Sequence, residues 1–420
     1  MTNERENPIN ALSLIVQLKQ GKEIRQQLEK RGLFDDCHRL VLLGEDQVAI
    51  PIRQDMESLE FINRLWPDFI QRRLNMPLSK KAQARLNTPS AKLSSELSRL
   101  MNQYNISEDL KTEIPRKWEK HHDLVIIPAT SFISEDWTKI PGLWKVVAKC
   151  LSCQRLARHA CVASDGIRSS QITMLLGNSG QVTHLDNGIS YSYDITKCMF
   201  SAGNITEKLR IASWDCSREI VVDLYAGIGY FTLPYLVHAK AAHVHACEWN
   251  PHAAAALRQN LKDNGVSDRC SVHEGDCRQL DLPPVADRVN LGLIPSSEDG
   301  WPTAVRVLRH GGGMLHIHSN VEHSLSTGDR DECSGGSYGG DENGVSSSVL
   351  DCTIKLSGKE KLQQACTLWS SYTQSRILSL LHTIKGSNQW SVRPVHLEVV
   401  KSYAPHIVHV VLDLECRISD

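Results

Sequence analysis

Hydrophobic and polar positions change rhythm along the chain. Ile24 to Leu33 repeats at helical spacing up to Gly32, and Arg39–Leu43 and Gln47–Ile52 read as two short strands around Gly44-Glu45-Asp46. Asp123–Ile127 is a β-branched run, and Leu143–Ala157 has the apolar spacing of a helix. Ile172–Leu176 and Val182–Leu185 flank Gly177-Asn178-Ser179-Gly180, a hairpin signal, and Ile189–Asp194 alternates as a further strand. From Ile220 onward short apolar runs and helical stretches take turns. Strands are expected at 220–224, 242–247, 270–274, 285–293 and 314–318, with helices after the first, at Pro251–Asn260 behind an Asn250 cap, and at Trp301–Leu308. A helix at Trp369–Ile384 follows, then strands at His396–Val400 and Ile407–Leu414 joined by a connection over 401–406. Strand–helix alternation implies a parallel sheet whose ligands sit at the strands' carboxyl ends, here closed by an antiparallel last strand.

The division that follows is a small α+β module at 1–60, a basic linker at 61–114, a second α+β domain at 115–212 and a domain of alternating strands and helices at 213–420. Within the last, residues 321–358 are rich in Gly, Ser, Asp and Glu and read as a disordered insert.

Chemistry concentrates at Val221-Val222-Asp223-Leu224-Tyr225-Ala226-Gly227-Ile228-Gly229. A buried strand ends in an acid and a Gly-x-Gly turn, where side chains would hold a ligand away from the backbone amides. Glu248 closes the next strand nineteen residues past Gly229, the spacing at which a carboxylate meets ribose hydroxyls. No Walker lysine follows, so an adenosine ligand is favoured over a triphosphate. Because Asp223 precedes the glycines, it would repel a pyrophosphate and suits a sulfonium and an ammonium, which favours S-adenosylmethionine over NAD. Asp276 and Cys277, after the third strand, are placed to meet adenine. The fold expected is thus a Rossmann-like class I S-adenosylmethionine-dependent methyltransferase fold with amino-terminal α+β RNA-recognition domains.

Composition narrows the partners. With 47 basic and 48 acidic residues the chain is not globally a polyanion binder, so any nucleic-acid surface is local. Between residues 71 and 100, Arg72, Arg73, Lys80, Lys81, Arg85, Lys92 and Arg99 face one acid, Glu96; the first five are the candidate RNA contacts, a solvated basic linker being the other reading. No apolar run of membrane-spanning length is present, and the amino terminus lacks a signal-peptide core; a cytoplasmic protein is expected. The 13 cysteines lie singly in apolar runs, as reduced thiols do. Cys150-x-x-Cys153 lacks a second pair and lies in a helical stretch, so no metal is expected.

Asp-Leu-Tyr-Ala-Gly-Ile-Gly-Tyr-Phe-Thr-Leu-Pro at 223–234 resembles the wybutosine-synthesising aminocarboxypropyltransferases. So do Phe-Ser-x-Gly-Asn-Ile-Thr-Glu-Lys at 200–208, His-Ala-Cys-Glu-Trp-Asn-Pro-His at 245–252, Leu-Gly-Leu-Ile-Pro-Ser-Ser at 291–297 and Lys-Ser-Tyr-Ala-Pro-His at 401–406. The resemblance implies transfer of the 3-amino-3-carboxypropyl group of S-adenosylmethionine to C7 of 4-demethylwyosine, at position 37 of tRNA(Phe), releasing methylthioadenosine. It also implies that Ser201 and Lys208 reach the cofactor, Glu248 holds its ribose, and Asp276 with Cys277 meets adenine. Where related sequences follow the aspartate with asparagine, this chain has Cys277, which keeps a backbone contact and loses a side-chain one. The sibling tRNA guanine-37 N1-methyltransferases carry an arginine matching Gly203 or Asn204 and a base-contacting asparagine near Gly292, and this chain lacks that arginine and that asparagine. That methyl transfer is one alternative; a non-catalytic tRNA-binding scaffold is the other. His318, at the carboxyl end of the fifth strand, is the candidate base and Tyr403 a candidate base-stacking residue, with structural roles open to both. A monomer is expected.

Overall fold

Seven strands make the sheet that carries the glycine turn. They are β1 (Ile220–Asp223), β2 (His243–Glu248), β3 (Cys270–Glu274), β4 (Arg288–Leu291), β5 (Gly313–Glu322), β6 (Trp390–Ala404) and β7 (Ile407–Ile418), in the order β3-β2-β1-β4-β5-β7-β6. The first five are parallel; β7 is antiparallel to β5, and β6 to β7. Strand order reverses between β1 and β4, which opens a crevice at their carboxyl ends, the place where such sheets take ligands. The structure, a computed structural model, describes residues 9–160, 172–199, 202–323, 357–386 and 389–418.

Five helices serve this sheet: α1 (Ile205–Ala212), α2 (Thr232–Val237), α3 (Pro251–Asp263), α4 (Trp301–Val307) and α5 (Gly358–Lys385). One face of the sheet buries Val222, Leu224, Val289, Leu291, Leu315, Ile317, Leu412 and Leu414 against Ala304 and Val305 of α4 and Ile377 and Leu381 of α5. Full burial of each large aliphatic side chain contributes about 1.5–3 kcal/mol, which makes this cluster the floor on which the turn is set. α5 opens with a reciprocal cap, Ser357 Oγ accepting from Glu360 N while the Glu360 carboxylate accepts from Ser357 N, so the helix begins at the end of the stretch read as an insert. Residues 324–356 of that stretch lie outside the described residues.

On the other flank a hairpin, Gln181–Asp186 with Ile189–Asp194, docks on α3. Asn260 Oδ1 accepts from Ser192 N at 2.7 Å and Asn264 Oδ1 from Ser190 N at 3.0 Å, while Asn260 Nδ2 donates to Ile228 O at 3.0 Å. One buried asparagine thus ties hairpin, helix and glycine turn together. The strand at 181–186 turns back through Asn187-Gly188 and not through the expected Gly177–Gly180. Both Asn187 (φ 48°) and Gly188 (φ 74°) take the left-handed conformation that a two-residue hairpin turn demands, which favours this pairing.

The chain divides into two compact units, Met1–Arg158 and His159–Asp420. In the first, Ile9–Gln17 is a strand missed by sequence reading; it pairs antiparallel with both Gln47–Pro51 and Ile70–Met76. Leu18–Lys30 is the helix expected from Ile24. The stretch expected as a basic linker is folded: edge strand Ile70–Met76, then helices Lys80–Leu86 and Pro89–Gln103, capped by Ser79 and Thr88. Leu93, Leu97, Leu100 and Met101 form a buried stripe on the last helix, which the count of charges had concealed. The helix expected over 143–157 ends at Cys150. Ser152 turns left-handed (φ 52°), and Arg155 pairs with Asp123 at 2.7 Å, drawing residues 155–158 into a parallel strand against 124–127. Likewise β6 and β7 extend to residues 404 and 407, leaving Pro405-His406 as the whole connection.

Candidate active site

At the end of β1, Asp223 is fully buried, and its carboxylate accepts from Asn290 Nδ2 of β4 (2.9 Å), from Thr232 Oγ1 of α2 (2.8 Å) and from Tyr225 N (3.4 Å). Burial raises its pKa and these bonds oppose the rise. Asp223 was expected to face the sulfonium. The structure turns the carboxylate inward, because two buried donors on neighbouring elements converge there, and it braces the turn. Gly227 (φ 56°) and Gly229 (φ 105°) both need the left-handed region, and a Cβ on Gly227 would lie 2.5 Å from the Tyr230 ring.

Glu248, at the end of β2, accepts from Gly227 N through Oε2 and from Asn250 N through Oε1, both at 2.7 Å, and burial raises its pKa. The turn and the ribose candidate are therefore one unit. After β3, Asp276 accepts from Arg278 N (2.9 Å) and from its guanidinium (2.6 Å), which holds its pKa down, while Cys277 is buried beside the Tyr225 hydroxyl. The turn, Glu248 and Asp276 thus line the carboxyl ends of β1, β2 and β3, an arrangement that fits an adenosine ligand.

Ser201 lies outside the described residues. Lys208, on α1, is 2 % exposed; its ammonium is bonded to Asp186 of the hairpin at 2.8 Å and lies 4.6 Å from the Tyr191 ring centroid. Burial lowers its pKa, and Asp186 opposes that. A helix lysine so placed carries a charge already shared with one carboxylate.

Beneath the crevice, β5 and β7 bring four ionisable groups together. His318 Nδ1 lies 3.0 Å from His409 Nε2, its ring packs 4.9 Å from Phe231, and its Nε2 has no hydrogen-bond partner among the described residues. Burial, then the neighbouring His409, press its pKa well below the usual value, so it is neutral. His316, on the same face, is instead committed to Asp413 (2.6 Å). Asp413 in turn accepts from Arg210 of α1, which also grips Glu207, so a buried ion network clamps α1 to the last strand. Tyr403 is 58 % exposed near the end of β6. Sequence reading missed Asn290, Thr232, Asp186 and His409; each is a partner supplied by a separate element, and only Asn290 and His409 carried a local signal, as polar residues inside apolar strands.

In the first unit Arg72, Arg73, Lys80, Lys81 and Arg85 are all exposed, and the structure separates them. Arg72 and Arg73 stand on the edge strand, with Arg73 donating to Gln54. Lys81 and Arg85 converge on Asp36 and line a groove of about 970 Å³ together with Arg25, Arg39 and Arg53. Among the described residues Asp35, Asp36 and Cys37 are the one trio with metal-ligand spacing, and the Lys81 ammonium 2.8 Å from Asp36 opposes a cation there. Cys150 and Cys153 direct their thiols at the carbonyls of Lys92 and Ala148.

Comparison with known proteins bears on these features. Residues 182–330 match the TRM5/TYW2 methyltransferase domain and residues 97–180 the TYW2 N-terminal domain. The tRNA wybutosine-synthesizing protein 2 homolog of Bos taurus is 44 % identical over 98 % of this chain and 97 % of its own, and the Homo sapiens homolog is 42 % identical over 99 % and 96 %. The chain belongs to the tRNA wybutosine-synthesizing protein 2 family. Membership at this identity bears out the resemblance read from the motifs at 200–208, 223–234, 245–252, 291–297 and 401–406. Solved structures agree on the fold of this family member. P. horikoshii TYW2 in complex with MeSAdo superposes with a TM-score of 0.51 at 24 % identity, covering 77 % of this chain and 99 % of its own. Trm5b from Pyrococcus abyssi superposes at 0.55 with 19 % identity, covering 97 % and 100 %. The expected methyltransferase-type α/β fold is thereby confirmed. No helix among the described residues is long and apolar enough to cross a membrane.

Proposed function

We propose that this protein transfers the 3-amino-3-carboxypropyl group of S-adenosylmethionine to C7 of 4-demethylwyosine at position 37 of tRNA(Phe), releasing methylthioadenosine. Membership of the family supports the reaction class. The observation that carries the choice between this transfer and methylation is the filling of two glycine positions. The space a Cβ would take on Gly203 is held by the Lys401 side chain, 2.3 Å away at Nζ, and that on Gly292 by the Phe231 ring at 3.1 Å. Glycine at both positions lets these side chains pack there, and the arginine and asparagine associated with guanine methylation are absent.

S-adenosylmethionine supplies a sulfonium that activates the side-chain Cγ for attack by a carbon nucleophile. In this reading the turn at Gly227 and Gly229, with Glu248, Asp276 and the Cys277 backbone, seats the nucleoside, and Asp223 keeps the turn in shape. Ser201 and Lys208 hold the amino-acid arm, Lys208 dividing its ammonium between Asp186 and the ligand. Alignment of Cγ with the base carbon is worth several kcal/mol when the arm is immobilised. His318, neutral and with Nε2 unengaged by the described residues, takes the C7 proton as the new carbon–carbon bond replaces the sulfur–Cγ bond. Tyr403 stacks on the tricyclic base. Arg72, Arg73, Lys80, Lys81 and Arg85 contact tRNA phosphates, and the enzyme works as a cytoplasmic monomer without a metal. Cofactor labelled separately in its methyl and carboxyl carbons tests the reading on tRNA(Phe) bearing 4-demethylwyosine. Carboxyl label in the tRNA is expected; methyl label would assign the chain to methylation, and no label in either form would reduce it to a scaffold.

A further inference from the structure

A neutral imidazole takes a proton at Nε2 only when its own hydrogen sits on Nδ1. In His318 that choice falls to a neighbour. Its Nδ1 lies 3.0 Å from His409 Nε2, and the two rings, each 1 % exposed, stand 5.2 Å apart at 36°. Burial, then Lys401, press the His409 pKa down to about 4, and burial, then His409, press that of His318 well down. Both rings are therefore neutral, and of the two facing nitrogens one donates and the other accepts.

The register of the sheet extends the pair. His318 and Asn320 share one face of β5, and His409 of β7 stands directly opposite Asn320. Directly opposed residues hold their side chains in contact, and a diagonal neighbour such as His318 stays within reach of a ring. Two further atoms at this crossing, His409 Nδ1 and Asn320 Oδ1, are buried and have no hydrogen-bond partner among the described residues. Each is costly alone, and a direct bond or one bridging water satisfies both. An amide oxygen can only accept, so Asn320 places the His409 hydrogen on Nδ1. His409 Nε2 is then bare and accepts from His318 Nδ1, which leaves His318 Nε2 bare in turn.

We infer that Asn320 and His409 are positioning residues that fix His318 in its Nδ1–H form, with Nε2 ready for the C7 proton. The inference rests on the base assigned to His318 above. As the C7–Cγ bond forms, sulfur keeps the electron pair of the S–Cγ bond, the C7–H pair returns to the ring, and the proton passes to His318 Nε2. The imidazolium goes on donating from Nδ1 to His409. A neutral acceptor orients the ring without the hold of a carboxylate, so the proton is released again; His316, with Nδ1 2.6 Å from Asp413, lacks that freedom. The other charged or titratable groups around the pair are Lys401 on β6, Arg210 on α1, Asp413 on β7 and His316 on β5. They are common to the wild type and to every variant below.

Long-range proton–nitrogen NMR of the full-length enzyme carrying isotope-labelled histidine reads the tautomers directly, with His318→Asn assigning the signals. Wild type is expected to show bare Nε2 and protonated Nδ1 in both rings. Asn320→Leu should mix the tautomers and lower kcat about tenfold with KM for cofactor and tRNA kept, and His409→Leu should cost about tenfold to a hundredfold. His409→Gln, which sets an amide oxygen where Nε2 stood, should recover part of that loss. Asn320→Asp keeps the acceptor and adds a negative charge, which favours the imidazolium and should move the acidic limb of kcat to higher pH. A hydrogen on His318 Nε2 in the wild type would overturn the inference. So would tautomers and kcat unmoved by both leucine variants, or losses in KM alone with the acidic limb unshifted. Should the wild type deliver methyl label to tRNA, the functional reading fails, whereas the spectra report the tautomers whichever group is transferred.

Discussion

Replacing Arg210 by methionine should cost the catalytic unit about 3–5 kcal/mol, the loss typical of breaking a buried ion pair from one side. Arg210 donates to Glu207 through Nε (2.8 Å) and Nη2 (2.7 Å) and to Asp413 through Nη1 and Nη2, the latter at 3.1 Å. Both carboxylates are buried, at 0 % and 5 % exposure. Methionine fills much of the volume and leaves those charges without their guanidinium. His316 stays on Asp413 at 2.6 Å, which keeps the loss from doubling. Set against the roughly 5–15 kcal/mol that stabilises an ordinary domain, the change is large. Urea unfolding followed by near-ultraviolet circular dichroism measures it, since Trp214 stacks on His316 and lies under Arg210. The pH dependence has a definite sign. Burial raises the Asp413 pKa, but His316 and Arg210 outweigh burial and hold it well below the carboxylate range. Such a group stabilises the fold above its unfolded value near ~3.9 and loses that contribution as pH falls through the folded one. The gap between wild type and Arg210→Met should therefore persist from neutrality down to about pH 4 and narrow only below it. A loss under about 1 kcal/mol, the range of exposed pairs, or a gap that closes near neutrality, would refute the account.

Other consequences are as direct. Glu248→Ala should weaken S-adenosylmethionine and methylthioadenosine alike, by about tenfold to a hundredfold, since it removes ribose contacts common to both; calorimetry checks this. Because burial raises the Glu248 pKa, wild-type affinity for both ligands should begin to fall at a pH above the ordinary glutamate value, and Glu248→Gln should flatten that profile. His318→Asn should lower turnover by about a hundredfold or more with cofactor affinity kept; an equal fall in affinity would make the histidine structural. Lys81→Ala with Arg85→Ala should weaken tRNA binding at every salt concentration and make its logarithmic salt dependence shallower by about two phosphate contacts, an unchanged slope counting against the groove.

Much of the site was legible in one dimension because its chemistry is local. A strand, an acid, Gly-x-Gly and a second acid at fixed spacing define the cofactor turn, as backbone geometry tolerates few residues there. Helix α3 could be placed from Asn250 and Gly265, since caps are read by neighbours in sequence. Charge count misled at 71–100, where Leu93, Leu97, Leu100 and Met101 bury one face of a helix that carries Lys92 and the Arg99–Glu96 pair on its others. The hairpin at 181–194 was mispaired because two glycine-rich turns competed, and packing on Asn260 and Asn264 accompanies the one that formed. What a carboxylate does was beyond reach altogether. Asp223 reads as a ligand in the sequence, and its bracing of the turn was not legible there, because Asn290 and Thr232 reach it from β4 and α2, 67 and 9 residues away in the chain. The sequence by itself determined the turn, its acids and the family; only tertiary packing decided that Lys208 meets Asp186, that His318 meets His409 and that Lys401 lies over Gly203. Such partners are chosen by the register of distant strands, which no local pattern encodes.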